Sequence, residues 1–286
     1  LMMMSPAFGH TGAAYQAKNP DELIMSFAAV SDIHVETNNP ESYDNLKAVL
    51  EGIKGGENID AAVYAGDNVM NGQFLENVFF YNAVAGVKPA EANYVVMGNH
   101  DIGNGTGNFE EHKGNFIANN MLYLGNDVGE GYYYRVVNGC YMIFLASEEI
   151  TVNECVMSQK QLDWLKGILD EAEAADAATI VFNHHPSFLL RSVEGENLSS
   201  NALNELLASY EDILYIHGHY HNELKESSFY NSDGFNAINL PRCTETKDYE
   251  AGDGIVVEVY DDEILVRGRD FIKGEWIEGL EYSYEY

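Results

Sequence analysis

Short apolar runs alternate with amphipathic stretches over the first hundred residues. Residues 24–30 carry Phe27, Ala28, Ala29 and Val30 in succession and read as a buried strand. Residues 40–53 place Leu46, Val49, Leu50 and Ile53 near helical spacing. A second strand is predicted over 61–65 and a helix over 72–84, with Phe74, Val78 and Tyr81 on one face. A third strand follows over 93–97. This β-α-β-α-β rhythm predicts a largely parallel sheet.

The middle of the chain changes period. A short helix is predicted over 109–120. Two strands, 132–137 and 140–146, flank Asn138-Gly139, a strong hairpin signal. Tyr132, Tyr133 and Tyr134 should alternate between core and surface. Residues 158–174 read as a helix with Ser158 as N-cap and Gln161 three residues on, the spacing of a capping box. Strands over 179–182 and 213–216 enclose a helix near 200–209. The tail adds strands over 235–240, 254–260 and 263–269, the last two joined at Asp261-Asp262.

The length, 286 residues, suits one large domain, here expected over 21–286 behind a polar tail at 1–20. The start lacks the basic segment and apolar core of a secretion signal. A chain trimmed after such a signal would look the same, so cytoplasm and secretion both stay open. No apolar run reaches the roughly 18 residues of a membrane span. Three cysteines, Cys140, Cys155 and Cys243, with no C-x-x-C pair, argue against a disulfide framework and a thiolate zinc site. Acids outnumber bases 46 to 15, a formal charge of -31. Such a surface repels nucleic-acid backbones, so nucleic-acid binding is not expected.

The chemistry collects at strand ends. After Val30 comes Asp32-Ile33-His34, after Ala65 Gly66-Asp67, and after Met97 Gly98-Asn99-His100-Asp101. After Phe182 comes His184-His185-Pro186, and after Ile216 His217-Gly218-His219-Tyr220-His221. In open α/β sheets the carboxyl ends of strands form the ligand crevice, so five distant positions can converge there. Carboxylate and imidazole donors without thiolate suit manganese, zinc or iron. Two ions need a bridging ligand, which a carboxylate can supply. Alone, each motif has an ordinary reading: a decorated loop, a turn, a core histidine. Five in one order, each behind an apolar run, are hard to produce by chance.

With these residues the chain resembles the calcineurin-like metallophosphoesterase superfamily, whose pattern runs Asp-x-His, Gly-Asp, Gly-Asn-His-Asp/Glu, His, Gly-His-x-His. The resemblance spans residues 24–221. It implies a four-layer αββα sandwich with two packed mixed β-sheets and a centre of two divalent metal ions. One ion would be held by Asp32, His34, Asp67 and His221, the other by Asp67, Asn99, His184 and His219, with Asp67 bridging. A hydroxide held between the ions would attack a phosphate ester. His100 would act as hydrogen-bond donor or general acid, and Asp101 would orient His100. Purple acid phosphatases in the superfamily place a metal-binding Tyr three residues after the bridging Asp. Here that position is Met70, so no charge-transfer colour is implied.

The implied substrate is a small phosphate ester. The spacing is most similar to the cyclic-nucleotide and glycerophosphodiester phosphodiesterase branch, with phosphomonoesters as the other possibility. Arg191 could clamp a second anionic group or stand solvated on its loop. Tyr220 could stack on a base or pack on the ligand loop, and His185 would line the edge. His217 would support the ligands from behind or belong to the core. The alternative from another class is a catalytically silent binding scaffold of the same fold. The intact ligand set and His100 weigh against it.

Overall fold

In a computed structural model, describing residues 14–244 and 250–286, β1 (Met25–Val30), α1 (Pro40–Lys54), β2 (Ala61–Tyr64), α2 (Phe74–Val87) and β3 (Ala92–Val95) follow in the predicted order. The first thirteen residues of the expected tail lie outside the described part. Tyr15 is buried and forms a bridge to Gly56, with its ring edge-on to Trp276. The next elements are α3 (Phe109–Asn119), β4 (Tyr133–Val137), β5 (Cys140–Phe144), β6 (Cys155–Met157), α4 (Gln159–Ala174), β7 (Thr179–Phe182), β8 (Leu190–Ser192) and α5 (Ala202–Leu207). Then come β9 (Ile213–His217), β10 (Phe229–Ser232), β11 (Phe235–Asn239), β12 (Asp253–Val259), β13 (Glu263–Asp270) and β14 (Glu275–Glu285).

Two six-stranded mixed sheets result, in the orders β14-β13-β12-β1-β2-β3 and β10-β11-β9-β7-β5-β4, beside a small β6-β8 pair. β1, β2 and β3 are parallel, as are β5, β7, β9 and β11. Strand alternation separates the layers. Ile180, Phe182, Leu214 and Ile216 join the large core shared with β1 and β2. Val181, Ile213 and Tyr215 point the other way, onto Leu162, Leu165, Leu169, Leu203 and Leu207 of α4 and α5. Phe182 meets Phe27 edge-on at 5.5 Å and stacks on Phe144 at 5.1 Å, so the sheets face each other through aromatic rings. On the outer side of the first sheet, α1 comes so close that a Cβ on Gly52 would lie 1.9 Å from Phe271 O. No helix among the described residues is long and apolar enough to cross a membrane.

Local expectations hold where sequence neighbours decide them. Asn138 (φ 49°) and Gly139 (φ 87°) turn the β4–β5 hairpin in the left-handed region. Ser158 Oγ accepts Gln161 N at 3.2 Å, but the Gln161 side chain reaches Ala146 and Glu148 instead of closing the box. Tyr132 and Tyr133 are both buried, against the expected alternation, because the first packs on Trp164 at 4.9 Å and the second on Phe144 at 4.5 Å. Helix α2 corrects a second reading. Phe74 is 65% exposed, and the buried face runs through Asn77, Phe80, Tyr81 and Val84. A helix apolar on nearly every side gives periodicity no face to choose.

Gly167 lies in the middle of α4, and an added Cβ would meet nothing within 4 Å. Gly167→Ala should therefore stabilise the protein by about 0.5–1 kcal/mol. Urea unfolding checks this; an unchanged midpoint would contradict it.

Candidate metal centre

Every candidate ligand sits shortly past the carboxyl end of a parallel strand. β1 delivers Asp32 and His34, β2 Asp67, β3 Asn99, β7 His184, and β9 His219 and His221. Backbone bonds lace the loops together: Asp32 N to Gly66 O at 3.0 Å, His34 N to Asp67 O at 2.9 Å, and Gly218 N to His184 O at 3.1 Å. Side-chain contacts also cross between the sheets. His219 N donates to Asp32 Oδ2 at 3.1 Å, and the His184 Nδ1 is 3.0 Å from Ala65 O.

The motif glycines make this approach possible. A Cβ on Gly66 would lie 2.6 Å from His184 Nδ1. One on Gly98 would lie 2.2 Å from Asp67 N, and one on Gly218 2.0 Å from Ser31 Oγ. The ligands themselves are strained. Asp32 (φ 54°), His34 (52°), Asp67 (52°), His219 (76°) and His221 (54°) all adopt the left-handed backbone region. That conformation costs a non-glycine residue about 1–2 kcal/mol, and strain so concentrated marks a site rather than a turn.

Asp32, His34, Asp67 and His221 each offer a ligand atom, and the four atoms lie within 4.8 Å of one another. His34 Nε2 and His221 Nε2 are 3.1 Å apart, and His221 Nε2 is 2.9 Å from Asp32 Oδ1. Beside them, His184 Nε2 is 3.1 Å from Asp67 Oδ2, and His219 Nδ1 is 3.2 Å from Asn99 Oδ1. All seven sequence-predicted ligands are thus brought together. Asp32, His34, Asp67, Asn99 and His184 are buried, while His221 stands at the rim.

The donor set fits divalent cations. Asp32 Oδ1 and His184 Nε2 are buried, and their close polar neighbours are other candidate ligands, His221 Nε2 and Asp67 Oδ2. The Ala65 carbonyl only accepts, so His184 Nδ1 carries the hydrogen and Nε2 is left with a lone pair for a cation. Asn99 Nδ2 donates to Asn104 Oδ1 at 3.0 Å, which turns the Asn99 oxygen to His219. Ser31 Oγ donates to Asp32 Oδ2 at 2.7 Å. Ser31 and Asn104 carry no sequence signal of their own.

Burial alone would raise the Asp32 and Asp67 carboxyls, but the His184 charge and neighbouring imidazoles hold both below the usual carboxylate range. Burial likewise works against a His184 cation, yet Asp67 and Asp32 pull its pKa up to about 10. The centre is anionic enough to draw a proton onto His184, and the same field favours a bound cation.

His100 Nδ1 lies 2.5 Å from Met70 O, with Nε2 4.0 Å from Asp67 Oδ2 and the side chain 19% exposed. Its orienting partner is therefore the Met70 carbonyl and not the expected Asp101. Asp101 accepts instead from Gly98 N, Asn68 N and Val69 N at 2.7–3.1 Å, and so ties the loop after β3 to the loop after β2. Burial and the Asp67 charge push its pKa to about 7 against those donors. His185 is buried with its ring 4.5 Å from that of His219. Burial, then the charges of His184 and His219, hold its pKa well below the ordinary value. Tyr220 is 43% exposed, its ring 5.8 Å from that of His219. Arg191 lies on β8, exposed, and donates to Glu149 at 3.1 Å.

The cluster thus lies at the carboxyl ends of strands from two facing mixed sheets. The chain belongs to the calcineurin-like phosphoesterase family, whose profile matches residues 25–223. A dimetal phosphatase from Danio rerio shares the fold with a TM-score of 0.61 at 16% identity, over 92% of this chain and 99% of that one. Purple acid phosphatase from yellow lupin seeds also gives 0.61, at 12% identity, over 91% of this chain and 53% of its own. The sulfate thiohydrolase SoxB of Thermus thermophilus gives 0.51 at 11% identity, over 88% and 58%. This chain thus spans just over half the length of the lupin and Thermus proteins. Likeness at such identities shows the fold. No curated protein matches the chain.

Proposed function

We propose that the protein hydrolyses small phosphate esters with two divalent cations, manganese, zinc or iron. Asp32, His34, Asp67 and His221 would hold one and Asp67, Asn99, His184 and His219 the other, within one domain over 21–286. The observation that carries this reading is that the buried Asp32 Oδ1 and His184 Nε2 have other candidate ligands as their close polar neighbours, with five of the seven candidates in the left-handed backbone region. When bound, such ions polarise a phosphoryl oxygen and lower the pKa of a coordinated water.

The chain's own groups supply position and proton control. The Met70 carbonyl fixes the Nδ1 hydrogen of His100, so Nε2 is the atom that faces the centre and can give a proton to a leaving oxygen. Asp101 holds the Asn99-His100 loop in place through three backbone N–H groups. Tyr220, exposed beside His219, would meet the ester's leaving group, whereas His185 is buried against the His219 ring and does not line the edge as expected.

A panel of phosphomonoesters, phosphodiesters and cyclic nucleotides, run with added Mn²⁺ or Zn²⁺, tests the activity. Turnover that needs metal supports it, and the most rapidly cleaved class assigns the substrate. His100→Ala should keep its metal and lose about 10²–10⁴-fold in turnover. Two bound ions with no turnover on any ester would favour the binding scaffold.

A further inference from the structure

His217 ends β9, two residues before the first ligand of its loop, and its ring is fully buried. Both ring nitrogens have partners. Nδ1 lies 2.9 Å from Gly218 O, and Nε2 lies 2.7 Å from the Tyr230 hydroxyl. A carbonyl only accepts, so Nδ1 carries the hydrogen. In the neutral ring the Nε2 lone pair then accepts from Tyr230. The Gly218 carbonyl receives a second bond, from Asn239 Nδ2 at 2.9 Å. The same short stretch is held elsewhere by Gly218 N to His184 O and by His219 N to Asp32 Oδ2, both at 3.1 Å. Directly beyond this anchored peptide, His219 and His221 take up their left-handed conformations.

We infer that His217, with Tyr230 and Asn239, is a positioning group that clamps the Gly218 carbonyl and so sets the affinity of the centre for divalent cations. The inference rests on the proposed metal centre and adds residues outside its ligand set. Tyr230 belongs to β10, the edge strand of the second sheet. The clamp therefore ties the edge of that sheet to the loop that carries two histidine ligands. Without the two donors to Gly218 O, the strained backbone behind them relaxes and the imidazoles lose their shared aim.

Titration calorimetry of the metal-free protein with Mn²⁺ tests this without recourse to turnover. His217→Gln places its amide near Nε2 and leaves Gly218 O with one donor fewer; affinity should fall about 10–100-fold. His217→Asn puts an N–H near the Nδ1 position and should stay close to wild type. Wild-type affinity in His217→Gln, or equal losses in both variants, would overturn the inference. Should His217→Gln fail to fold, Tyr230→Phe serves in its place and should also bind Mn²⁺ more weakly; unchanged affinity there counts against the clamp. ¹⁵N NMR of the metal-free wild type supplies a readout that needs no variant. The His217 proton is expected on Nδ1, and a proton on Nε2 alone would overturn the arrangement. A wild type with that tautomer but no Mn²⁺ binding would sink the metal centre itself rather than the clamp's geometry.

Discussion

Asp67→Ala is expected to abolish both turnover and stabilisation by metal. Asp67 is the side chain common to both proposed ligand groups. Its Oδ2 lies 3.1 Å from His184 Nε2 and 3.9 Å from His34 Nε2, while Oδ1 accepts His100 N at 2.8 Å. A ligand that binds only the folded state stabilises it by about 4 kcal/mol at a thousand times its Kd. Wild type should show that gain with saturating Mn²⁺, and Asp67→Ala should show none. Turnover should fall by far more than the roughly 100-fold loss seen when a mere supporting partner of a metal ligand is removed. Asp67→Asn keeps the shape and the bond from His100 N but loses the charge, and should behave like the alanine variant. Thermal unfolding with and without Mn²⁺ reads the effect. A full metal-dependent rise in Tm in either variant would contradict the bridging role.

Gly98→Ala should be nearly as damaging, although glycine and alanine differ by one methyl. The added Cβ would stand 2.2 Å from Asp67 N and 2.3 Å from Asp67 Oδ1. The first of these is backbone, so the two loops must part. Overpacking of this kind costs about 1–3 kcal/mol, and the parting would carry Asp67 away from His184. Metal affinity and Tm should fall together, in contrast to Gly167→Ala, where the same methyl enters open space. Calorimetry and unfolding on the two variants side by side check the contrast. Wild-type Mn²⁺ affinity in Gly98→Ala would mean that the loops need not touch.

The parts of the molecule legible in the sequence are those set by near neighbours or by repeated pattern. The three leading strands, the Asn138-Gly139 hairpin and the Ser158 cap are of this kind. So is the convergence of the seven candidate ligands, because parallel strands deliver their ends to one place whatever lies between them. What was not legible depends on long-range contact. Met70 and His100 lie 30 positions apart, and nothing in their types says that the Met70 carbonyl meets the His100 ring. Asp101, adjacent in sequence to His100, was the natural partner to expect and is drawn off by three backbone N–H groups instead. Asn104 and Ser31 act on ligands through single hydrogen bonds that polar loop residues make in many settings. β14 escaped notice for another reason. It is an edge strand with acidic, mostly exposed positions and Gly279 in its midst, so alternation is diluted. Arg191, singled out because positive charge is scarce, pairs with Glu149, a contact its sequence neighbours do not announce.

Anomalous X-ray diffraction from crystals grown with Mn²⁺ addresses the proposed centre most directly. Two peaks are predicted about 3.5–4 Å apart, one among Asp32, His34 and His221, the other among Asn99, His184 and His219, with Asp67 between them. Crystals with no anomalous peak in this cleft, or with manganese only on acidic patches elsewhere, would contradict it.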